Sequence, residues 1–353
     1  MTQDAPLRHA IQLLSQGHSL TAEATAAAFG VVMAGEATAV QTAALLMGLR
    51  AKGETPDEVA GAAQALRQAM VRLDGGDDGM VDTCGTGGGK VGTLNISTAA
   101  AFIVAGAGVA VAKHGNRSYT SRSGSADVLE ALGIDIGLPP ARAAVVLRET
   151  GLVFLFAPTY HPAMRHVGPV RKELGVATIM NLLGPLANPA GVRRQVIGVA
   201  SDDRAPLVAA ALARLGAAHA LVVHAAVGMD EVSPSGRTQV WEVRDGSVSQ
   251  WEVVPSALGL ECDDLDELAG GEPEENARRV ERLLGGHGAA AERCAVLLNA
   301  AAALYVSGRG WTLADAVGRA RASLESGAAM RALAALRSAA PGELPAAGRG
   351  AAR

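Results

Sequence analysis

The sequence is poor in aromatic residues, which make up 3% of its 353 positions, whereas hydrophobic residues as a group make up 49%. A sizeable core is therefore available, but it must be built mainly from small aliphatic side chains packed closely together. This composition favours helices layered on a sheet, and the length corresponds to about two domains.

The chain also lacks an excess of charge of either sign, with 31 basic and 35 acidic residues. It therefore has no general attraction for nucleic acids or anionic membranes, and any anion must be bound by a local site. We expect neither a nucleic-acid nor a membrane partner.

Cysteines and long apolar runs are scarce as well. Cys84, Cys262 and Cys294 are odd in number and show no CxxC or paired histidine spacing, which argues against a disulfide framework and against structural zinc. Glycines and charges interrupt every apolar run before it reaches the length of a membrane span, and the N-terminus lacks a signal-peptide pattern. These absences predict a cytoplasmic protein.

The secondary-structure pattern changes after residue 73. Residues 1–73 predict a small helical domain, with helix starts at Thr21 and at Thr55 followed by Pro56. An acidic, glycine-rich hinge is predicted at 74–79.

Residues 80–335 predict a larger α/β domain with a mostly parallel sheet. Its predicted strands are 80–82, 109–113, 153–156, 194–199 and 218–224. A hairpin is predicted around Asp245-Gly246. Residues 160–190 interrupt the alternation of strands and helices and are expected to return to the helical domain, and 340–353 predict a disordered tail.

A glycine-rich segment, "VDTCGTGGGKVGTLNISTAAAF" at 81–102, predicts a phosphate site, because bare backbone and a following helix start both present N–H groups. Asn95, Ser97 and Thr98 are expected just before that helix. A Walker A loop is excluded, since Cys84 stands at its first glycine position. A dinucleotide site is disfavoured, because Lys113 stands about where an acidic residue would bind the ribose.

A second polar segment, "KHGNRSYTSRSGSAD" at 113–127, follows the second predicted strand. An ordinary strand, loop and capped helix would explain Ser125 and Asp127, but not so many basic, amide and hydroxyl side chains together. We therefore interpret this cluster as part of the same site.

Seven motifs, "GTGG", "NIST", "KHGNR", "GSADVLEALG", "HPAMRHVGPVRKELG", "NLLGPLANPAG" and "GMDE", occur in the order found in anthranilate phosphoribosyltransferases. The chain resembles that family from its N-terminal helices to about residue 310. The resemblance implies the two-domain architecture of nucleoside phosphorylases and phosphoribosyltransferases, and a homodimer formed through the helical domains. It also implies Mg²⁺-dependent transfer of the 5-phosphoribosyl group from phosphoribosyl pyrophosphate (PRPP) to anthranilate, a step of tryptophan biosynthesis.

The resemblance also implies roles for residues at the motif positions. PRPP would be bound by Gly85, Thr86, Gly88, Gly89, Thr93, Asn95, Ile96, Ser97, Thr98, Lys113, His114, Gly115, Asn116, Arg117, Ser118, Ser121 and Ser125. Asn116 and Arg171 match the positions that would bind anthranilate, and we add Gly85, His114, His161 and Pro185 as candidates for the anthranilate pocket. Mg²⁺ would be bound by Ser97, Asp230 and Glu231, and the catalytic candidates are Lys113, Asn116 and Arg171.

These residue types suit that chemistry. Asp230 and Glu231 follow a predicted strand, and hard carboxylate oxygens together with phosphate oxygens are what Mg²⁺ prefers. Arg171 can pair with the anthranilate carboxylate through two parallel hydrogen bonds, although an exposed helix arginine is the ordinary alternative. "NLLGPLANP" predicts a rigid loop beside the acceptor.

One position departs from the family pattern, which usually reads "GTGGD", whereas this chain has Gly89 at the fifth position. The missing carboxylate predicts an altered dependence on Mg²⁺. Ala177 and Met180 also differ from the family's usual "RTIFN", so the resemblance does not predict the details of the acceptor pocket.

Two other functions stay open at this point. A pyrimidine nucleoside phosphorylase would share the architecture, although "KHGNR" and the Asp230-Glu231 pair suit a metal-bound pyrophosphate better than free phosphate. A noncatalytic nucleic-acid-binding relative should carry a basic surplus that this chain lacks.

Overall fold

The computed structural model describes residues 4–75, 78–89, 91–118 and 122–342. Ser121, an expected PRPP residue, lies outside the described residues, as do 343–353 of the predicted tail. In the described part of the tail, the carbonyl of Ala340 accepts a hydrogen bond from the backbone N–H of Asp135 at 2.9 Å, and Pro341 forms an isolated β-bridge with Ile134.

Four helices open the chain: α1 (Ala5–Ser15), α2 (Ala22–Met33), α3 (Ala39–Lys52) and α4 (Pro56–Ala69). The two predicted helix starts are confirmed. Thr21 accepts a hydrogen bond from the backbone of Ala24, and Thr55 forms a capping box with Glu58. Glu58 is fully buried and also accepts from the backbone of Leu20 at 2.9 Å, which ties the start of α4 to the entry of α2.

In the described part of the chain, seven strands form one sheet in the order β3-β2-β1-β4-β5-β6-β7. Their bounds are β1 Val81–Gly85, β2 Val111–Gly115, β3 Leu152–Phe156, β4 Arg194–Gly198, β5 His219–Ala225, β6 Thr238–Arg244 and β7 Ser247–Val253. The pairings among β1 to β5 are parallel, and β6 and β7 add an antiparallel edge. The predicted fold class is thus confirmed.

The predicted strand limits were less accurate than the strand positions. The first strand extends to Gly85 rather than ending at residue 82, because β1 pairs with β4 over its whole length, up to Gly85 opposite Gly198. Such pairing cannot be read from a short apolar run. The hairpin prediction is confirmed, since Asp245 and Gly246 join β6 to β7 with φ of 48° and 81°.

The other described helices pack on the sheet, on one another or on the first four helices. They are α5 Ile96–Gly106, α6 Ser125–Ala131, α7 Pro140–Thr150, α8 Ala157–Tyr160, α9 Gly168–Leu174, α10 Met180–Leu186, α11 Ala205–Arg214, α12 Pro273–Leu284, α13 Ala290–Val306, α14 Leu313–Glu325 and α15 Ala328–Ala339. A segment predicted as a rigid loop, "NLLGPLANP", instead forms α10 over most of its length, with Pro185 in the last turn, because Leu183 and Leu186 are fully buried by packing.

Two hydrophobic clusters lie on opposite sides of the sheet. One contains α5 and α13, and the other joins α1 to α4 with α11. Val167 and Leu183, from the segment 160–190, are buried in the second cluster. Among the described residues, no helix combines the length and apolar character needed to cross a membrane.

Candidate active site at the carboxyl edge of the sheet

The glycine-rich loop and the acidic loop meet where parallel strands β1, β4 and β5 end. Ligands of open α/β sheets bind at this edge. A Cβ atom placed on Gly198, the last residue of β4, would lie 1.7 Å from the carbonyl oxygen of Asp230. The acidic loop therefore crosses the end of β4 at a distance that only glycine permits.

The carboxylate of Asp230 faces the glycine-rich loop. A Cβ atom on Gly85 would lie 3.0 Å from Oδ2 of Asp230, and one on Gly89 would lie 2.6 Å from Oδ1. Thr86 extends the contact between β1 and β4 by donating its backbone N–H to the carbonyl of Gly198 at 2.9 Å. The loop expected to bind phosphate thus also encloses a carboxylate.

Glu231 reaches the start of α5. Its Oε1 accepts a hydrogen bond from the backbone N–H of Ser97 at 3.3 Å. Lys113, which is 3% exposed on β2, donates to Oγ of Ser97 at 3.1 Å and to the carbonyl of Thr83. The structure therefore brings residues from four separate parts of the sequence into one cleft.

The expected helix boundary was wrong by about one turn. Helix α5 begins at Ile96, so Ser97 and Thr98 lie in its first turn rather than before it. Ile96 and Thr98 are buried, and the backbone N–H groups of Thr98 and Ala99 already bond to the carbonyl of Asn95. Placing Ser97 in the first turn directs its N–H toward the cleft, where an anion is favoured.

The surroundings of Asp230 and Glu231 disfavour the charged forms of both carboxyl groups. Burial and the neighbouring Asp230 raise the pKa of Glu231 to about 8, and burial raises the pKa of Asp230. Among the described residues, no three His, Cys, Asp or Glu side chains surround a common cation position. Two carboxylates and the Ser97 hydroxyl supply hard oxygen donors that fit Mg²⁺, provided that further oxygen ligands come from a bound molecule.

Two buried histidines, one of them next to Lys113 in β2, pack against each other. The rings of His114 and His161 lie 5.0 Å apart between centroids, and both side chains are buried. His114 Nδ1 lies 3.1 Å from the carbonyl of Gly184 in α10, next to Pro185. Burial lowers the pKa of His114 to about 3, with His161 contributing, and burial lowers that of His161 to about 4. Both rings are therefore neutral near pH 7.

The loop after β2 folds back on α6. Arg117 donates to Oδ1 of Asp127 at 3.0 Å and to Oε1 of Glu130 at 2.8 Å, so its guanidinium is held by α6. Ser125 Oγ and the backbone of Ala126 donate to the carbonyl of Asn116. This segment is positioned, but the Arg117 side chain is not directed into the acidic cleft.

Other expected residues lie on several different elements. Gly88 adopts a positive φ of 85°, and Thr93 forms a bridge with Ala269. Gly115 ends β2, where an added Cβ atom would lie 2.2 Å from Oγ of Ser125. The backbone N–H of Ser118 donates to Oδ2 of Asp127 at 3.2 Å. Arg171 lies in the last turn of α9, which packs against α3.

Several supporting residues were not selected from the sequence: Asp82, Asn188, Gly198, Asn276 and Asn299. Asp82 is fully buried in β1, and its carboxylate accepts from Nδ2 of Asn188 at 2.8 Å and from the backbone of His114 at 3.2 Å. Nδ2 of Asn276 donates to Oδ1 of Asn95 at 3.0 Å. For Asp82 and Asn299, a polar side chain inside an apolar run was the available signal, because buried polar groups need partners.

Comparison with known proteins gives a consistent result. The glycosyl transferase family α/β domain model matches residues 77–330, and the helical bundle domain model of the same family matches 8–70. An anthranilate phosphoribosyltransferase of Rubrobacter xylanophilus is 49% identical over 327 residues, covering 93% of this chain and 95% of that protein.

Solved structures agree. The anthranilate phosphoribosyltransferase of Thermus thermophilus superimposes with a TM-score of 0.87 at 44% identity, covering 93% of this chain and 99% of that one. The Saccharomyces cerevisiae enzyme in complex with PRPP and Mg gives a TM-score of 0.86 at 29% identity, covering 95% and 98%.

Proposed function

The chain belongs to the anthranilate phosphoribosyltransferases, and we propose that the cleft containing Ser97, Lys113, Asp230 and Glu231 is where it binds PRPP. The resemblance inferred from the sequence motifs is confirmed by the family models and by relatives such as the Rubrobacter xylanophilus enzyme, which is 49% identical in sequence. The chain transfers the 5-phosphoribosyl group of PRPP to the amino group of anthranilate, giving N-(5-phosphoribosyl)anthranilate and pyrophosphate. The comparisons do not support the phosphorylase or the nucleic-acid-binding alternative.

The observation that carries the site assignment is the contact between Ser97 and Glu231, with Lys113 on the Ser97 hydroxyl. A pyrophosphate at the start of α5 would meet the positive end of the helix and the Lys113 ammonium together. Gly85, Gly88 and Gly89 supply the bare backbone of the opposite wall.

Mg²⁺ fits the donor set of this cleft, and we assign Ser97, Asp230 and Glu231 as the residues that would hold it. When bound, it supplies positive charge that favours departure of the pyrophosphate. The fit rests on the raised pKa of Glu231 as well as on ligand type, because a cation relieves the repulsion between two neighbouring, partly buried carboxylates. The Saccharomyces cerevisiae enzyme in complex with PRPP and Mg supports the choice of this metal.

The reaction breaks the bond between C1 of the ribose and a pyrophosphate oxygen, and forms a bond between C1 and the anthranilate nitrogen. The bonding electrons leave with the pyrophosphate, and the amine loses one proton. We assign Lys113 and the positive end of α5 to stabilise the charge that grows on the leaving oxygens. Because an arylamine is uncharged at neutral pH, positioning rather than strong base catalysis supplies much of the remainder.

We place the anthranilate ring against the uncharged surface formed by His114, His161 and Pro185. Uncharged imidazoles suit an aromatic ring, and the low pKa values of about 3 and 4 keep them uncharged. Asn116, at the turn after β2, and Arg171 complete the acceptor side, with Arg171 pairing with the carboxylate. The Saccharomyces cerevisiae enzyme in complex with 4-fluoroanthranilate supports an acceptor of this class.

Further features of the chain follow from this proposal. We assign 1–73 to a helical domain that also takes in 160–190, and 80–335 to the catalytic domain. The helical domain would form a homodimer, since Val40 and Met47 are exposed seven positions apart on one face of α3, at 78% and 37%. A cytoplasmic location suits a biosynthetic enzyme of this class.

Loss of anthranilate fluorescence in the presence of PRPP and Mg²⁺ tests the function. The purified chain should consume anthranilate only when PRPP is present. Activity confined to a pyrimidine nucleoside plus phosphate would overturn the proposal in favour of phosphorolysis.

A further inference from the structure

Asn299 is a buried amide in the middle of an apolar helix. It lies on α13 and is 2% exposed, among neighbours such as Leu298 and Ala300 that are equally buried. An unpaired amide in such surroundings would cost about 1–3 kcal/mol, so its partners show what it is for.

Both ends of the Asn299 amide bond to one residue of the acidic loop. Oδ1 accepts the backbone N–H of Val232 at 3.0 Å, and Nδ2 donates to the carbonyl of Val232 at 2.9 Å. Nδ2 also donates to the carbonyl of Ala295 at 2.9 Å, one turn earlier in α13. The side chain therefore pairs with Val232 much as a neighbouring strand would.

Val232 directly follows Glu231 and lies in the irregular segment between β5 and β6. Its two backbone groups take part in no strand, so the Asn299 amide replaces the sheet as their partner. Asp230 directly precedes Glu231, and its carbonyl lies against Gly198 at the end of β4. The acidic residues are thus held between the end of β4 and helix α13.

The same helix packs on α5, which presents Ser97 to Glu231. Movement of α13 or of the loop would therefore change the separation of Ser97 and Glu231. We propose that Asn299 is a positioning residue that fixes Glu231 relative to Ser97 and thereby sets the affinity of the cleft for a divalent cation bound with PRPP. This inference rests on the proposed function of that cleft.

Replacement of both hydrogen-bonding groups tests the role. Asn299→Leu keeps the volume of the side chain but removes the pairing, and we expect Mn²⁺ binding in the presence of PRPP, followed by electron paramagnetic resonance, to weaken by about 10- to 100-fold. The backbone N–H of Val232 should also lose protection in hydrogen exchange of residues 226–237. Excess Mn²⁺ should restore activity while the KM for anthranilate stays close to that of the parent.

Ser323→Ala is the matched control. Ser323 is 4% exposed, and its hydroxyl donates to the carbonyl of Ile103 in α5 at 2.8 Å, so the variant removes a buried bond from the same helical layer without touching the acidic loop. It should lose stability but keep its Mn²⁺ affinity. If Asn299→Leu does not fold, as judged by circular dichroism, Asn299→Ser serves in its place.

The outcomes separate the two proposals. A parent protein that binds no Mn²⁺ with PRPP contradicts the assigned cleft itself. A parent that binds, together with a folded Asn299 variant of unchanged affinity and unchanged exchange at Val232, overturns the positioning role alone.

Discussion

The backbone N–H of Ser97 lies 3.3 Å from Oε1 of Glu231, although 134 positions separate the two residues in the sequence. The first residue belongs to the glycine-rich loop and helix start, and the second to the acidic loop after β5. Their contact makes a single cleft from two motifs that could each have had a separate explanation.

Gly89 stands where the sequence resemblance leads us to expect a carboxylate, and this should alter the response to Mg²⁺. A carboxylate added by Gly89→Asp would meet Asp230, because even a Cβ atom there would lie 2.6 Å from Oδ1. We expect the Mg²⁺ saturation curve of Gly89→Asp to shift to lower concentrations, since the added charge attracts cations. Rates measured over a Mg²⁺ titration check this.

Gly89→Ala is the control for the steric part of that change. It adds the same Cβ atom near Asp230 but no charge, so a shift to lower Mg²⁺ concentrations should appear in Gly89→Asp and not in Gly89→Ala. Superimposable curves for Gly89→Asp and the parent would refute the prediction.

Arg171 should matter for the acceptor and not for PRPP. Loss of a paired guanidinium removes hydrogen bonds to a charged group, worth about 1.5–3 kcal/mol, so Arg171→Gln should raise the KM for anthranilate by about 10- to 100-fold. The KM for PRPP should stay within about twofold. Lys172→Gln, at the exposed neighbouring position, should leave both constants unchanged. An equal effect of the two substitutions would count against the assignment.

The metal-free protein should lose stability as the pH rises. Because the pKa of Glu231 is raised from the usual value near 4.5 to about 8, folding favours the protonated acid. That contribution is complete below about pH 4.5 and is lost as the pH approaches 8. Thermal unfolding in a chelator at pH 5 and pH 8.5 should therefore show a larger loss in the parent than in Glu231→Gln.

The exposed residue Glu325 provides the control, and Glu325→Gln should follow the parent. Addition of Mg²⁺ and PRPP at pH 8.5 should restore the lost stability. If Glu231→Gln loses as much stability as the parent over this pH range, the buried-acid account is wrong.

The apolar face of α3 predicts the dimer interface. A charge at Val40, which is 78% exposed, would be buried between the two copies, so Val40→Asp should convert dimer to monomer in sedimentation velocity. Val248→Asp, on β7 and 42% exposed, should leave the dimer intact. A parent that sediments as a monomer would exclude the proposed assembly.

Much of the fold could be predicted from local sequence, because its signals are local. Thr55 with Glu58 marks a helix start, and Asp245-Gly246 marks a hairpin, whatever surrounds them. The extent of β1 could not be predicted in this way, since its last residues are strand only through pairing with β4.

The residues that carry the chemistry of the cleft could also be predicted from the sequence, but the residues that hold them in place could not. Ser97, Lys113 and Glu231 stand in recognisable motifs, whereas Asn299 stands in an apolar run where an amide gives no indication of its partner. Its partner, Val232, lies 67 positions away and contributes only backbone atoms. Arg117 shows that a motif position can also mislead. Its place in the motif predicts PRPP binding, but its side chain pairs with Asp127 and Glu130.

The central claim is that Glu231 and Ser97 bind PRPP together with Mg²⁺. Isothermal titration of PRPP into the parent, Glu231→Gln and Glu325→Gln, each with and without Mg²⁺, tests it most directly. Binding should require Mg²⁺ in the parent and in Glu325→Gln, and should weaken by at least about tenfold in Glu231→Gln. Equally tight, equally Mg²⁺-dependent binding of PRPP by Glu231→Gln would contradict it.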